Sequence, residues 1–156
     1  MKLENVLWLV TLTSVLAIAS LALHEYFHIW ASVIQFGDNG YIYFVFNHGI
    51  PVTAYARDIT LSSFVKLAGG FFTGIIFICI GYWAYRTKTF SDYYVEFAFT
   101  LCGFCHFVYS FWEVTMLGNI PLELYLKCNN VIYVICILIY IIIERKNIKK
   151  YIGGDK

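Results

Sequence analysis

The sequence predicts a mainly α, polytopic membrane protein: four transmembrane helices, with a β-hairpin between the first and the second. Two observations carry this reading. Of the 156 residues, 60% are hydrophobic and only 13% are charged, against roughly 25% in a soluble domain, and the mean hydropathy is +0.70. A chain with so little polar surface cannot cover a globule in water. The apolar residues also fall into four runs, each as long as the roughly 20 residues that span a bilayer. Short clusters of Gly, Pro, Asn, Asp and basic residues separate them.

The first helix is expected over residues 5–35. Leu7-Trp8-Leu9-Val10 through Ala17-Ile18-Ala19 is featureless apolar helix. The apolar stretch, from about Val6 to Ile34, exceeds the roughly 7–15 residues of a signal-peptide core, so a cleaved leader is not expected. Phe36-Gly37-Asp38-Asn39-Gly40 is a turn cluster. After it, Tyr41-Ile42-Tyr43-Phe44-Val45-Phe46 is β-branched and aromatic, Asn47-His48-Gly49 signals a turn, and Ile50-Pro51-Val52-Thr53-Ala54-Tyr55-Ala56 follows. This reads as a hairpin over 41–56. Pro51 lacks an N–H, so its strand is an edge or carries a bulge. Such an edge can accept an extended peptide by strand addition.

The second helix is expected over 60–85, with Lys66 near its start and a Gly70-x-x-x-Gly74 spacing that lets two helix backbones approach closely. Arg86-Thr87-Lys88 marks a polar turn. The third helix, 93–117, carries His106 and Glu113 seven residues apart, two helical turns, with Tyr109 near the same stripe. Gly118-Asn119-Ile120-Pro121 turns the chain into a fourth helix over 122–144. There Glu123 and Lys127 have the i,i+4 spacing of a surface ion pair. Arg145, Lys146, Lys149 and Lys150 form a basic tail. No repeat or linker divides the chain, which reads as one domain, 1–156. The five cysteines lie in apolar segments and complete no zinc-ribbon spacing, so they read as reduced, buried side chains.

The chemistry concentrates in Leu23-His24-Glu25-Tyr26-Phe27-His28, an HExxH motif inside the first helix. Residues four apart share a helix face, so His24 and His28 can both present a ring nitrogen to one ion. This is the helical zinc pattern, in which the Glu serves as general base toward a metal-held water. The plain alternative is two helical histidines in a polar seam. In a membrane helix, however, three ionisable residues within five positions are costly unless they serve a function.

A catalytic zinc takes three protein ligands and an open position. The motif lies about 12–18 Å below the end of its helix, at 1.5 Å per residue. The first and third helices run toward the same side, so equal distance from that end means equal height. Glu113 then lies roughly 7 Å deep and His106 roughly 17 Å deep, bracketing the motif. Glu113 is the favoured third ligand, since a carboxylate offsets the ion's charge. His106 then donates to the oxyanion of a substrate carbonyl, with Tyr109 as a weaker candidate. The alternative makes His106 the ligand and places Glu113 behind it.

These residues resemble the site-two proteases, intramembrane zinc metalloproteases. The likeness rests on Ala22-Leu23-His24-Glu25-Tyr26-Phe27-His28 in the first core helix, a hairpin directly after it, and Leu67-Ala68-Gly69-Gly70, which looks like the family's Ala-Gly-Pro element. It covers about the first half of the chain. The family's third ligand is an Asp followed by Gly in a later helix. This chain has no such pair, and its nearest imitation is Pro121-Leu122-Glu123 before Leu124. Glu123 thus joins Glu113 and His106 as a candidate third ligand, and the chain would be a divergent branch. The resemblance implies hydrolysis of peptide bonds in or near a membrane-spanning substrate, with one zinc per chain.

The expected partners are therefore a membrane-protein or peptide substrate and the lipid bilayer. A net charge of +1 with no basic stripe gives no reason to expect nucleic acid. A diiron oxidase needs many more than the four histidines present. A non-catalytic module that binds a partner helix or a metal is the competing class. Four spans put both termini on one side, with Lys2, Arg86, Lys88, Arg145, Lys146, Lys149 and Lys150. The positive-inside rule makes that side cytoplasmic. The site would then open outward, whereas the resemblance implies opening toward the cytoplasm.

Overall fold

The computed structural model describes residues 3–87 and 93–153. Its elements are α1 (Leu3–Phe36), β1 (Tyr41–Asn47), β2 (Ile50–Arg57), α2 (Ser63–Thr87), α3 (Tyr93–Met116) and α4 (Leu122–Gly153). All four helices are long and apolar enough to cross a membrane. The expected ends hold to within three residues except in α4, which runs on through the basic stretch because nothing there breaks a helix. Of the polar turn expected at Arg86–Lys88, α2 is still helical at Thr87, and Lys88 lies outside the described residues, as does Lys2.

Local chemistry sets the element ends. Ser62 caps α2, its hydroxyl accepting from the Val65 N–H at 3.2 Å. The Lys66 ammonium donates to the Leu117 carbonyl, placing a cation at the negative end of α3. His48 and Gly49 have φ of 49° and 80°, the two left-handed residues of a two-residue hairpin turn. The strands pair antiparallel from Tyr41↔Arg57 to Asn47↔Ile50, with a register shift between Val45 and Phe46, whose partners are Thr53 and Pro51. The irregularity falls where proline cannot donate.

Between α1 and the hairpin, the Asp38 carboxylate accepts from the Ser32 hydroxyl and from the Thr60 N–H at 2.6 Å. These bonds, the Ser32 hydroxyl first, hold its pKa below the ordinary carboxylate value. They also tie the start of α2 to the end of α1.

The glycine spacing does what it predicts. A Cβ on Gly103 of α3 would lie 2.8 Å from the Gly74 carbonyl oxygen of α2, so the two backbones touch. α1 packs on both these helices and on the hairpin, while among the described residues α4 packs on α3 alone. The interior holds Ser20, His24, His28, Ser32, Thr73, His106, Ser110 and Glu113, all buried. The outer faces of α1 and α4 expose Trp8, Val15, Val131, Ile142 and other large apolar side chains. A polar seam wrapped in apolar helix faces suits a lipid surround.

Candidate metal centre

His28 is aimed from behind. Its Nδ1–H donates to the Val65 carbonyl of α2 at 2.6 Å, which leaves Nε2 with a free lone pair. The ring fits because Gly69 lies under it: a Cβ at that position would sit 2.3 Å from Nε2. His24, one turn earlier, brings its own Nε2 to 2.9 Å from that of His28. Across from α3, the Glu113 carboxylate reaches both, Oε2 at 3.2 Å from His24 Nε2 and Oε1 at 3.4 Å from His28 Nε2.

Three groups able to donate an electron pair thus converge, each of them buried. A tetrahedral ion with bonds of about 2.0–2.1 Å sets its ligands about 3.3 Å apart, close to these three separations. Glu113 Oε2 is enclosed and has no hydrogen-bond donor aligned on it, although a buried carboxylate ordinarily requires one. A cation is a partner that this donor set fits. Glu113 thus stands across from the two imidazoles. Glu123 stands elsewhere, 82% exposed and paired with Lys127 at 2.7 Å.

Glu25 is the other carboxylate near the pair. His24, Glu25 and His28 bring ligand-type atoms within 4.8 Å of one another, but Glu25 Oε1 stays 4.0 Å from His24 Nε2. Its Oε2 accepts instead from the Ala56 N–H of β2 at 2.6 Å. Glu113 is thus the nearer donor, and Glu25 leans away toward the hairpin. In an antiparallel strand alternate residues turn their backbone groups to opposite edges, so this bond also shows that the β2 edge not paired with β1 faces the motif.

His106 does not stand where an oxyanion donor is expected. Its Nδ1 meets His24 Nδ1 at 3.3 Å, and its Nε2 meets the Ser20 hydroxyl at 2.8 Å. It therefore lies behind the His24 ring, on the side away from His28 and Glu113. Depth along the helix carried no information about which side of His24 it would meet.

A cavity of about 650 Å³ opens beside the three donors, walled by His24, Glu25, His28 and Glu113, by Thr53–Arg57 of β2 with Asp58 after it, and by Tyr109, Tyr125, Asn129 and Tyr133. His106 faces a smaller space of about 240 Å³ on the other side, together with Ser20 and Cys102. In the larger cavity, Tyr109 and Tyr125 share a hydroxyl contact of 2.6 Å. Asn129 Nδ2 donates to the Tyr109 oxygen at 2.8 Å, and Trp112 Nε1 donates to Asn129 Oδ1 at 3.0 Å. Asn129, Tyr125 and Ser20 did not figure in the sequence reading. The spacing Tyr125-x₃-Asn129-x₃-Tyr133, one polar stripe on an apolar helix, was the available signal. Ser20, one turn before His24, was another.

No protein-family model, curated protein or solved structure matches this chain.

Proposed function

We propose that this protein is a zinc-dependent intramembrane peptidase, a divergent relative of the site-two proteases. The observation that carries the reading is the convergence of His24 Nε2, His28 Nε2 and the Glu113 carboxylate, with Glu25 and a cavity beside them. His24, His28 and Glu113 would hold the ion. A zinc ion so held supplies acidification of water and polarisation of a carbonyl oxygen.

The remaining roles belong to the chain. Glu25 takes a proton from the attacking water and passes it to the nitrogen as the C–N bond breaks; the water oxygen is left on the carbonyl carbon. The oxyanion donor passes from His106 to Tyr109, whose oxygen accepts from Asn129; with Tyr125 as the donor in their shared contact, the Tyr109 proton is left for an oxygen in the cavity. The open edge of β2 offers backbone groups to an unwound substrate strand. That strand would compete with Glu25 for the Ala56 N–H, so binding would free the base. With the basic residues counted above, both termini belong on the cytoplasmic side.

The 2.9 Å separation of His24 and His28 also suits a shared proton, and a non-catalytic membrane module is the reading that rests on it. Metal content tests the ion against the shared proton, and cleavage separates the peptidase from a non-catalytic module. Protein purified in detergent should contain one zinc per chain and cut a fluorescently labelled single-span helical peptide in proteoliposomes. Glu25→Gln should keep the zinc and slow cleavage by about 10²–10⁴-fold. Zinc-free protein that cannot be loaded overturns the peptidase, and full cleavage by Glu25→Gln overturns the role of the base.

A further inference from the structure

We infer that His106 is a positioning residue for His24, acting through a buried Ser20–His106–His24 relay; the inference rests on the zinc reading above. The donors and acceptors can be assigned from the end of the chain inward. The Ser20 hydroxyl donates to the Ala17 carbonyl at 2.8 Å, so its oxygen accepts the Nε2–H of His106 at 2.8 Å. A neutral imidazole with its proton on Nε2 has a lone pair on Nδ1. That lone pair faces His24 Nδ1 at 3.3 Å, so His24 carries its proton on Nδ1 and keeps Nε2 free. Nε2 is the atom that faces His28 and Glu113.

His28 has the same arrangement by other means, with the Val65 carbonyl behind its Nδ1–H. Each imidazole of the pair is thus fixed in one tautomer and one orientation by an acceptor on its far side. Two buried groups serve His24 alone: Ser20 is 1% exposed and His106 3%. This also separates positioning from ligation. The nitrogen that His106 turns toward His24 meets the ring on the Nδ1 side, opposite the three converging donors. A residue there orients the ligand without touching the ion.

The test measures zinc affinity by competition with a chromogenic chelator, and imidazole number by zinc X-ray absorption, in wild type, His106→Ala, His106→Asn and Ser20→Ala. His106→Ala should weaken zinc by about 10–100-fold while two imidazoles remain on the metal. His106→Asn places an amide oxygen near the lost Nδ1 acceptor and should restore most of the affinity, which a lost ligand or a merely filled space would not do. Ser20→Ala, the smallest change, should give a several-fold loss, since His106 can then turn its proton toward His24. Nitrogen-15 NMR of the zinc-free protein should report His24 protonated on Nδ1 in wild type and a tautomer mixture in Ser20→Ala. That readout keeps failure of the relay distinct from failure of the zinc site. Unchanged affinity in His106→Ala, a drop from three imidazoles to two in His106→Asn, or an Nε2-protonated His24 in wild type each overturns the proposal.

Discussion

Gly69 gives the sharpest test of whether His28 is built to hold an ion. In Gly69→Ala the new Cβ would lie 2.3 Å from His28 Nε2 and 2.4 Å from Cε1. Ordinary contact begins at 3.4 Å, so the ring must retreat by about 1 Å. A metal site tolerates about 0.2 Å in its ligand distances, so a retreat of that size removes the ligand. His28 cannot swing freely either, because its Nδ1–H is anchored on the Val65 carbonyl. Overpacking of this kind costs about 1–3 kcal/mol of stability, whereas zinc affinity should fall by about 100-fold or more, beyond the 10–100-fold range for loss of an outer partner. The assay is zinc competition against a chelator, alongside thermal unfolding in the same detergent. Gly37→Ala is the control: nothing lies within 4 Å of its Cβ, and its φ of 75° makes it strained. It should therefore cost about 1 kcal/mol of stability with no effect on zinc. Wild-type zinc affinity in a folded Gly69→Ala protein would refute the placement of His28.

Tyr109→Phe removes the proposed oxyanion donor and should lower kcat by about 10²–10³-fold with zinc content unchanged; an unaltered kcat returns that role to another group. Stripping the metal with a chelator should lower the melting temperature, because an ion bound only by the folded state at 1,000 times its Kd stabilises by about 4 kcal/mol; a melting curve indifferent to chelator argues against a buried ion. Asp38 predicts a pH dependence. Its folded pKa is depressed by Ser32 and Thr60, so its stabilisation is present above the unfolded value and is lost as pH falls through the lower folded value. Wild type should therefore lose stability below about pH 4, and Asp38→Asn should start lower and show a flatter acid limb in pH-dependent thermal melts.

The helices and hairpin were legible because the sequence marks them twice, by apolar length and by turn residues such as Asn47-His48-Gly49 and Gly118-Asn119-Ile120-Pro121. The pair His24 and His28 was legible because helical spacing alone places it. The third helix was harder. Taking equal distance from the helix ends as equal height put Glu113 above the motif, yet it meets both imidazoles while standing three residues from the end of α3. α1 continues about 10 residues beyond the same level, so it overshoots α3 by roughly 10 Å, and the hairpin hangs from that overshoot. Helix stagger depends on side-chain packing between elements far apart in sequence, which no spacing encodes. His106 illustrates a second limit: no spacing tells which side of the His24 ring it meets.

The energetics of the buried seam support the cation more directly than the motif does. Taking His24, His28 and His106 out of water is costly unless each nitrogen has a partner. The bundle supplies partners for most of them: the Val65 carbonyl for His28, Ser20 for His106, and His106 for His24. Around Glu113 that economy stops. Two ring nitrogens and the carboxylate oxygens face one another across 2.9–3.4 Å, and Glu113 Oε2 is buried with no hydrogen-bond donor aligned on it. A protonated imidazole could satisfy one edge of that triangle, but it offers a single N–H to two acceptors. A divalent ion satisfies all three edges at once and offsets the carboxylate's charge. On the zinc reading, the same sequence that provides a backing acceptor for each imidazole would leave the centre itself to an ion.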